Sequence, residues 1–439
     1  MPDLTDKAYD AAVAALFARQ PNRMVPDLDR IRALCDLLGH PEQAYPAVHI
    51  TGTNGKTTTS AMVSALFGAM GLSAGTYTSP HLQDVRERIR VAGEPVSRET
   101  VAAGLAYLQP FLERVDSEHP DPVTFFEVLT ALALVHFTDA PVDVAVIEVG
   151  MGGRWDATNV VDGQVAVLTD ISLDHPVLGA RLDAVAGEKS GIIKPGATTV
   201  SAAQPAEAMA VIEAAAAAAD SRLVVAGRDF GVLERATAVG GQHLHLRGVT
   251  MEVEDVFLPL HGLHQSANAA YALVAIEAFF GFASEIDPDV IREGFAAVRS
   301  PGRLEVVRPP EGPPVVLDGA HNPAGARSLA VALANEFAFR NRVFVLGILG
   351  DKDIEAMITE LQPVADHVVV VQPSSERAAS VERLEKAVRA AGISVETAPT
   401  VADGLEQARG VAGELDAVIV TGSLYTVGAA RDALGLEPA

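Results

Sequence analysis

The stretch Ala47-Val-His-Ile-Thr51 followed by Gly52-Thr53-Asn54-Gly55-Lys56-Thr57 decides the reading of this chain. A short apolar run of strand length passes into a loop with two glycines. Lys-Thr then opens a periodic segment whose apolar face includes Met62, Val63, Leu66, Phe67 and Met70. Strand, glycine loop and helix in that order gather backbone N–H groups and the positive end of a helix around an anion, and Lys56 supplies a cation for the outer phosphates. The stretch therefore predicts a nucleotide-phosphate loop, with two residues fewer between its glycines than the usual G-x-x-x-x-G-K-[ST] spacing.

Outward from the loop, apolar runs of strand length alternate with helical patterns, the signature of a mostly parallel sheet with helices on its faces. Residues 4 to 39 read as helices. Val142 to Val149 is a strand that ends in Glu148 and a glycine run, and Gln164 to Leu168 leads to Asp170, Asp174 and His175. Ligands gather at the carboxyl ends of parallel strands, so Glu148 is expected to hold magnesium beside the phosphates. Between 222 and 262 the pattern breaks into short runs, Leu223-Val-Val-Ala, His243-Leu-His-Leu-Arg, Thr250-Met-Glu-Val and Val256-Phe-Leu-Pro-Leu, which predict a small β appendage. After Ser300-Pro301-Gly302 a second alternating series begins, with strands expected at 314–317, 342–346, 367–371, 393–397 and 416–420. The expected fold class is α/β. A phosphate-loop nucleotide-binding domain over residues 1–300 is followed by a Rossmann-like α/β domain over 301–439.

The chain has 439 residues, 49% of them hydrophobic, with 33 Lys+Arg against 57 Asp+Glu and a formal charge of −24. Such an acidic chain with no cluster of Lys and Arg is not a general nucleic-acid binder. Cys35 is the single cysteine, which excludes an intramolecular disulfide or a cysteine metal cluster and fits a cytoplasmic location. No secretory signal is read at the N-terminus. The most lipophilic region, Ala267 to Ala283, is interrupted by Asn268 and Glu277, so it predicts a core helix and no membrane association. No heptad or internal repeat suggests assembly, and a monomer is expected.

Twelve motifs in order resemble the folylpolyglutamate synthase/dihydrofolate synthase family, a branch of the Mur-type ATP-dependent amide ligases. They are Gly52-Thr-Asn-Gly-Lys-Thr57, Tyr77-Thr-Ser-Pro-His-Leu82, Glu87-Arg-Ile89, Thr124-Phe-Phe-Glu127, the run from Glu148 to Asn159, and Asp174-His175. The series continues with Glu188 to Lys194, His264 to Asn268, Pro301-Gly-Arg303, Asp318 to Pro323, Asp351-Lys-Asp353 and Thr421 to Tyr425. The resemblance implies that ATP converts a carboxylate to an acyl phosphate, which L-glutamate attacks to give an amide, ADP and phosphate. The carboxylate would belong to dihydropteroate or to a reduced folate. Such chemistry rests on positioning and charge neutralisation, and the chain accordingly lacks a G-x-S-x-G elbow or an obvious nucleophilic cysteine.

By the same resemblance, magnesium falls to Ser79, Glu148 and His175, with a second magnesium near Lys189. Lys189 stands where related ligases carry a carbamylated lysine; an ordinary lysine pairing with phosphate is the other reading. Asn268, Arg303 and Asp318 match positions on the adenine, phosphate and ribose side of ATP. His321 and Ser423 match positions that bind or orient glutamate, and Thr124, Phe125, Arg154, Trp155 and Asp156 match the pterin side. The segment Met24 to Ile31 resembles the one that covers dihydropteroate in bifunctional members, so both activities are expected.

Three departures stand out. Asp174-His-Pro-Val-Leu-Gly179 is one residue shorter than the family pattern and stiffened by Pro176; the phosphate loop ends Lys-Thr-Thr; and Ser300 stands where a tryptophan often precedes Pro-Gly-Arg. The rival reading, a Mur ligase acting on a UDP-sugar peptide, expects a substantial domain ahead of the phosphate loop, and only 51 residues precede Gly52. The substrates expected here are anions in an acidic protein. Lys56, Arg154, Arg303, His321 and bound magnesium would supply a locally positive cleft.

Overall fold

Strand β1 (Ala47–Thr51) is buried along its whole length, and its side chains alternate between two cores, Val48 and Ile50 entering one and Ala47 the other. That two-sided burial is what a central strand of a parallel sheet demands. The computed structural model describes residues 4–20, 25–140, 142–173, 176–283 and 285–438. In it β1 lies between two parallel neighbours, β5 (Val144–Glu148) and β6 (Gly163–Leu168). The sheet is completed by β2 (Ala74–Tyr77), β3 (Ile89–Val91), β4 (Glu94–Pro95), β7 (Thr198–Ser201) and β8 (Arg222–Val225). The strand order is β4-β3-β2-β5-β1-β6-β7-β8. Antiparallel pairing is confined to one edge, where β3 runs against both of its neighbours, β2 and β4.

Helices cover both faces. On one side α3 (Lys56–Ala69), α8 (Leu263–Phe279) and α9 (Pro288–Ala296) contribute Met62, Leu66, Leu273, Ile276 and Phe295 to a core with Val48, Ile50, Val146 and Val167. On the other, α1 (Leu4–Phe17), α2 (Asp29–Leu37), α4 (Arg98–Glu118) and α5 (Phe125–Asp139) bring Leu16, Ile31, Leu34, Leu108 and Leu132 onto Ala145 and Ile147. A third cluster sits beneath α6 (Leu182–Lys189) and α7 (Ala206–Ala218), around Leu168, Val185 and Ile212.

The appendage differs from the sequence reading in two ways. Leu223-Val-Val-Ala does not belong to it: β8 pairs parallel with β7, and Val224 and Val225 are buried at the far edge of the main sheet. A four-residue run between turn residues reads alike in a meander and in a parallel edge, and only the α7 crossover decides. The appendage itself is antiparallel, with β9 (Gly231–Ala238), β10 (Gly241–Arg247) and β11 (Glu252–Leu258). The two runs expected at 250–253 and 256–260 form one strand. Its pairing with β10 shifts register between Leu244 and Leu246, and Asp255 adopts φ +55°, so the break in apolar alternation is a bulge.

The second sheet follows the order β12-β13-β17-β14-β15-β16. Its strands are β12 (Glu305–Val307), β13 (Val315–Leu317), β14 (Arg342–Leu346), β15 (His367–Val370), β16 (Ser394–Thr397) and β17 (Ala417–Thr421). All are parallel except β12, a three-residue edge strand too short to be read from sequence. Helices α10 (Pro323–Glu336), α11 (Ile354–Leu361) and α12 (Val381–Ala390) pack on one face, and α13 (Val401–Val411) and α14 (Leu424–Ala433) on the other. The carboxyl end of β13 faces the carboxyl end of β1, and a hydrogen bond from Asn322 Nδ2 to Asn54 Oδ1, 3.1 Å, joins the two.

Candidate active site

The phosphate loop is shaped by its own backbone. Thr53 N–H donates to Asp170 O at 2.7 Å, Thr53 Oγ1 to Ser172 O at 2.9 Å, and Thr169 Oγ1 to Asn54 O at 2.7 Å, so the end of β6 fixes the loop that leaves β1. Gly55 takes φ +89° at the N-terminus of α3, and a Cβ there would fall 2.5 Å from Asn268 Oδ1. A side chain is excluded twice over, by conformation and by the approach of α8. Lys56 Nζ donates to Gly52 O at 3.0 Å and to Thr53 O at 3.2 Å.

Glu148, at the end of β5, is 1% exposed. It accepts a hydrogen bond from Thr57 Oγ1 at 2.9 Å and from the Ser79 N–H at 3.2 Å. Burial pushes its carboxyl above the usual range, against the opposing pull of Lys56, these two hydrogen bonds and Arg303. Thr57, Ser79 and Glu148 together present hard oxygen donors beside the phosphate loop. That donor set fits magnesium, which is held by one or two carboxylates while phosphates and water complete its shell. The expected third ligand, His175, lies outside the described residues, as does Asp174.

Lys189 closes α6 and is 4% exposed, with Nζ donating to Gly52 O at 2.7 Å. The 150–153 loop can approach so closely because a Cβ at Gly153 would stand 2.8 Å from both Glu188 O and Lys189 O. The Gly52 contact suits either form of the lysine, since a carbamylated amine keeps one N–H.

The opposite wall comes from the second sheet. Asp318 accepts from Leu304 N–H at 2.9 Å and Ala320 N–H at 3.0 Å; burial pushes its carboxyl up, partly offset by Arg303 and these two bonds. His321 Nδ1 is 2.8 Å from Gly319 O, so Nδ1 carries the proton of the neutral ring and Nε2 the lone pair. These residues and the phosphate loop line one cavity of about 500 Å³, together with Ser79, Glu148, Asn268 and Arg303. That volume is in the range of small-ligand sites. Ser300, at the departure noted in the sequence, places Oγ 3.1 Å from Thr58 Oγ1.

The residues expected on the pterin side, and Ser423, do not line this cavity. Thr124 caps α5 and shares a capping box with Glu127. Asp156 accepts from Met151 N–H at 2.8 Å and Thr158 N–H at 3.0 Å, which holds the loop after Glu148 in shape. Arg154 is exposed and donates to Gly187 O at 3.2 Å, and Trp155 lies half-buried at the edge of the cluster beneath α6. Phe125 is buried against Phe17, ring centroids 5.0 Å apart. Ser423 caps α14 through Thr426 N–H at 3.1 Å. Sequence reasoning did not single out Tyr271 or Asn322 as site residues. Tyr271 lies one helical turn beyond Asn268, on the same face of α8, and that i, i+3 spacing was the available signal.

Comparison with known proteins agrees with this architecture. Residues 50–276 match the Mur ligase middle domain and residues 302–424 the Mur ligase glutamate ligase domain. A dihydrofolate synthase/folylpolyglutamate synthase from Mycobacterium tuberculosis is 44% identical, covering 95% of this chain and 91% of that protein. The structure of a Mycobacterium tuberculosis folylpolyglutamate synthase complexed with ADP superimposes with a TM-score of 0.94 at 44% identity, over 99% of this chain and 100% of the other. An E. coli FolC structure in complex with DHPP and ADP gives a TM-score of 0.86 at 29% identity, covering 97% of each chain. The chain belongs to the Mur ligase family and, within it, to the dihydrofolate synthase/folylpolyglutamate synthases.

Proposed function

We propose that this chain is an ATP-dependent ligase that joins L-glutamate to the carboxylate of dihydropteroate and of reduced folyl(poly)glutamates through an acyl phosphate, releasing ADP and phosphate. The observation that carries the reading is the single cavity in which Lys56, Ser79 and Glu148 face Arg303, Asp318 and His321. The relatives named for both activities support the two pterin substrates. Residues 1–300 hold the phosphates of ATP, and residues 301–439 complete the nucleotide site and present glutamate.

In this reading the N-terminus of α3 and the Gly52–Thr57 loop cradle the phosphates, and Lys56 offsets the charge that builds on them. Asn268, Arg303 and Asp318 hold the adenine, phosphate and ribose side of ATP, so bound ATP bridges the two sheets and their closure keeps water from the acyl phosphate. Magnesium, held by Ser79 and Glu148, supplies neutralisation of the phosphate charge. His321, its ring held by Nδ1 against Gly319 O, binds or orients the glutamate, and Thr124, Phe125 and the Arg154–Asp156 loop border the pterin. Lys189, carbamylated in this reading, would hold a second magnesium through an anionic oxygen and so add to the neutralisation of phosphate charge. Lys189→Ala should then lose most turnover and recover part of it with added short carboxylates; unaltered turnover overturns this role.

Purified protein given ATP, magnesium and L-glutamate should release ADP and yield glutamylated products of both dihydropteroate and a reduced folate. Product from the folate alone reduces the assignment to a folylpolyglutamate synthase, and product from neither overturns it. The protein is inferred to work as a cytoplasmic monomer, and sedimentation at the mass of one chain checks the oligomeric state.

A further inference from the structure

The motif Glu87-Arg-Ile89 has no part in the site built above, yet its arginine is 7% exposed with no carboxylate within ion-pair distance among the described residues. The contacts of Arg88 are a hydrogen bond from Nε to His81 Nδ1, 2.8 Å, and a guanidinium lying 5.2 Å above the centroid of the Phe125 ring. Carboxylates that could neutralise it are committed elsewhere. Glu87 accepts the N–H groups of Leu82, Gln83 and Asp84 at 2.7, 3.0 and 3.0 Å. Asp84 is bonded by Arg86 and by the Tyr9 hydroxyl, and Glu148 by Thr57 and Ser79.

His81 cannot supply the missing charge. An arginine Nε–H only donates, so His81 Nδ1 accepts and the ring proton resides on Nε2. The terminal nitrogens of Arg88 make no hydrogen bond among the described residues. They are also absent from the set of sealed, partnerless side-chain atoms that includes Arg86 Nε, so they reach open space. A guanidinium taken out of water this far without a counter-charge is costly unless a ligand brings one.

The position of Arg88 narrows the ligand. The loop from Ser79 to Arg88 docks on α14 of the second sheet, where Gln83 Nε2 donates to Asp432 at 2.8 Å and Arg431 Nε to Gln83 Oε1 at 2.7 Å. Tyr425, in the first turn of α14, is one of the groups whose field Arg88 feels, along with Glu148. Arg88 thus lies between the pterin-side Phe125, the phosphate-side Glu148 and the glutamate-side α14.

We propose that Arg88, oriented by His81, binds the non-reacting carboxylate of a glutamyl group, either the incoming glutamate or the residue adjoining the reacting carboxylate of a folylglutamate. The inference deepens the ligase reading and rests on it. Arg88 has the fork geometry that recognises carboxylates in pairs of hydrogen bonds.

The test is steady-state kinetics of Arg88→Gln and Arg88→Lys with dihydropteroate and, separately, with a folylglutamate. If the site takes the incoming amino acid, Arg88→Gln raises the KM for L-glutamate about 30-fold or more in both reactions. If it takes the acceptor's carboxylate, the KM for the folylglutamate rises alone, because dihydropteroate has no glutamyl carboxylate. In both cases the KM for ATP stays within about threefold and Arg88→Lys recovers part of the loss. Unchanged KM values, a fall in kcat alone, or a rise confined to dihydropteroate overturns the proposal. Should Arg88→Gln melt well below the wild type, Arg88→Lys carries the same test, since it keeps the charge and loses the fork. A wild type without turnover would instead sink the ligase reading. Thermal protection by L-glutamate and by a folylglutamate then decides the role of Arg88: weaker protection of Arg88→Gln than of the wild type by one of the two supports it, and equal protection of both proteins by both ligands overturns it.

Discussion

Two openings lie where the segments before residue 300 meet those after it, and they are built on opposite plans. The one at the phosphate loop has about 500 Å³, and the one at the hinge, between β9–β11 and the end of α10, has about 1000 Å³. At the hinge, the carboxylate of Glu336 is spent on an ion pair. Glu336 accepts from Arg235 Nη2 and from Gly262 N–H at 2.9 Å, with His261 Nδ1 3.5 Å away, and Phe337 and Phe339 stack at 5.2 Å. At the phosphate loop, Glu148 and Asp318 are held by hydroxyls and backbone N–H groups, which orient a charge without cancelling it. Volume therefore does not mark the site; converging charges with neutral partners do.

The comparison breaks most sharply at Glu148. Glu148→Gln should lower kcat by about 100-fold or more, because the phosphate-side donor set loses its anion. Its melting temperature should hold or rise, since burial already disfavours the charged form of Glu148. A variant that melts lower and keeps its turnover would make Glu148 structural and erase the contrast.

At the hinge the expectation is reversed, stability moving and turnover holding. Burial works against the charge of Glu336, but the His261, Gly262 and Arg235 contacts prevail and hold its carboxyl below the usual value near 4.5. A depressed folded-state value means that the stabilisation is complete above the unfolded value and is lost as pH falls through the folded one. Glu336→Gln should lower the melting temperature by roughly 2–4 °C at about pH 7, and the difference should shrink as the medium is acidified below the usual carboxylate range. Melting curves of both proteins across that span check it, and a gap that persists in acid contradicts the ion pair.

The smallest effect is expected where the two plans meet. Asn322 caps α10 through Gly325 N–H at 2.8 Å while its Nδ2 reaches Asn54. Asn322→Ser keeps a capping hydroxyl and removes the reach, so the KM for ATP should rise about fivefold with little change in melting temperature. Equal KM values would show that the bridge contributes nothing to closure.

The strands that position the site were legible because their information is local. The apolar runs of Ala47–Thr51 and Val144–Glu148, the glycines and Lys56 state where a parallel strand ends and what it meets there. The 222–262 region was misread because four-residue runs carry too little periodicity to reveal the sheet they join. Thr124, Asp156 and Ser423 show another limit. Each matches a family motif, and in the structure each side chain caps a helix or turn, a geometric use that motif position does not announce.

By itself the sequence determined the α/β class, the phosphate loop, the carboxylate at the end of β5 and the exclusion of disulfide and cysteine-cluster chemistry. These follow from residue order within a strand or turn. Only the tertiary structure decided which charges remain uncompensated. Counting 33 basic and 57 acidic residues says nothing of who pairs with whom. Pairing depends on side chains brought together from distant segments, as Glu148 is with Thr57 and Ser79, and Glu336 with Arg235. Arg88 stands out by the same criterion, as a buried cation whose neighbouring carboxylates are already spent on backbone N–H groups and hydroxyls.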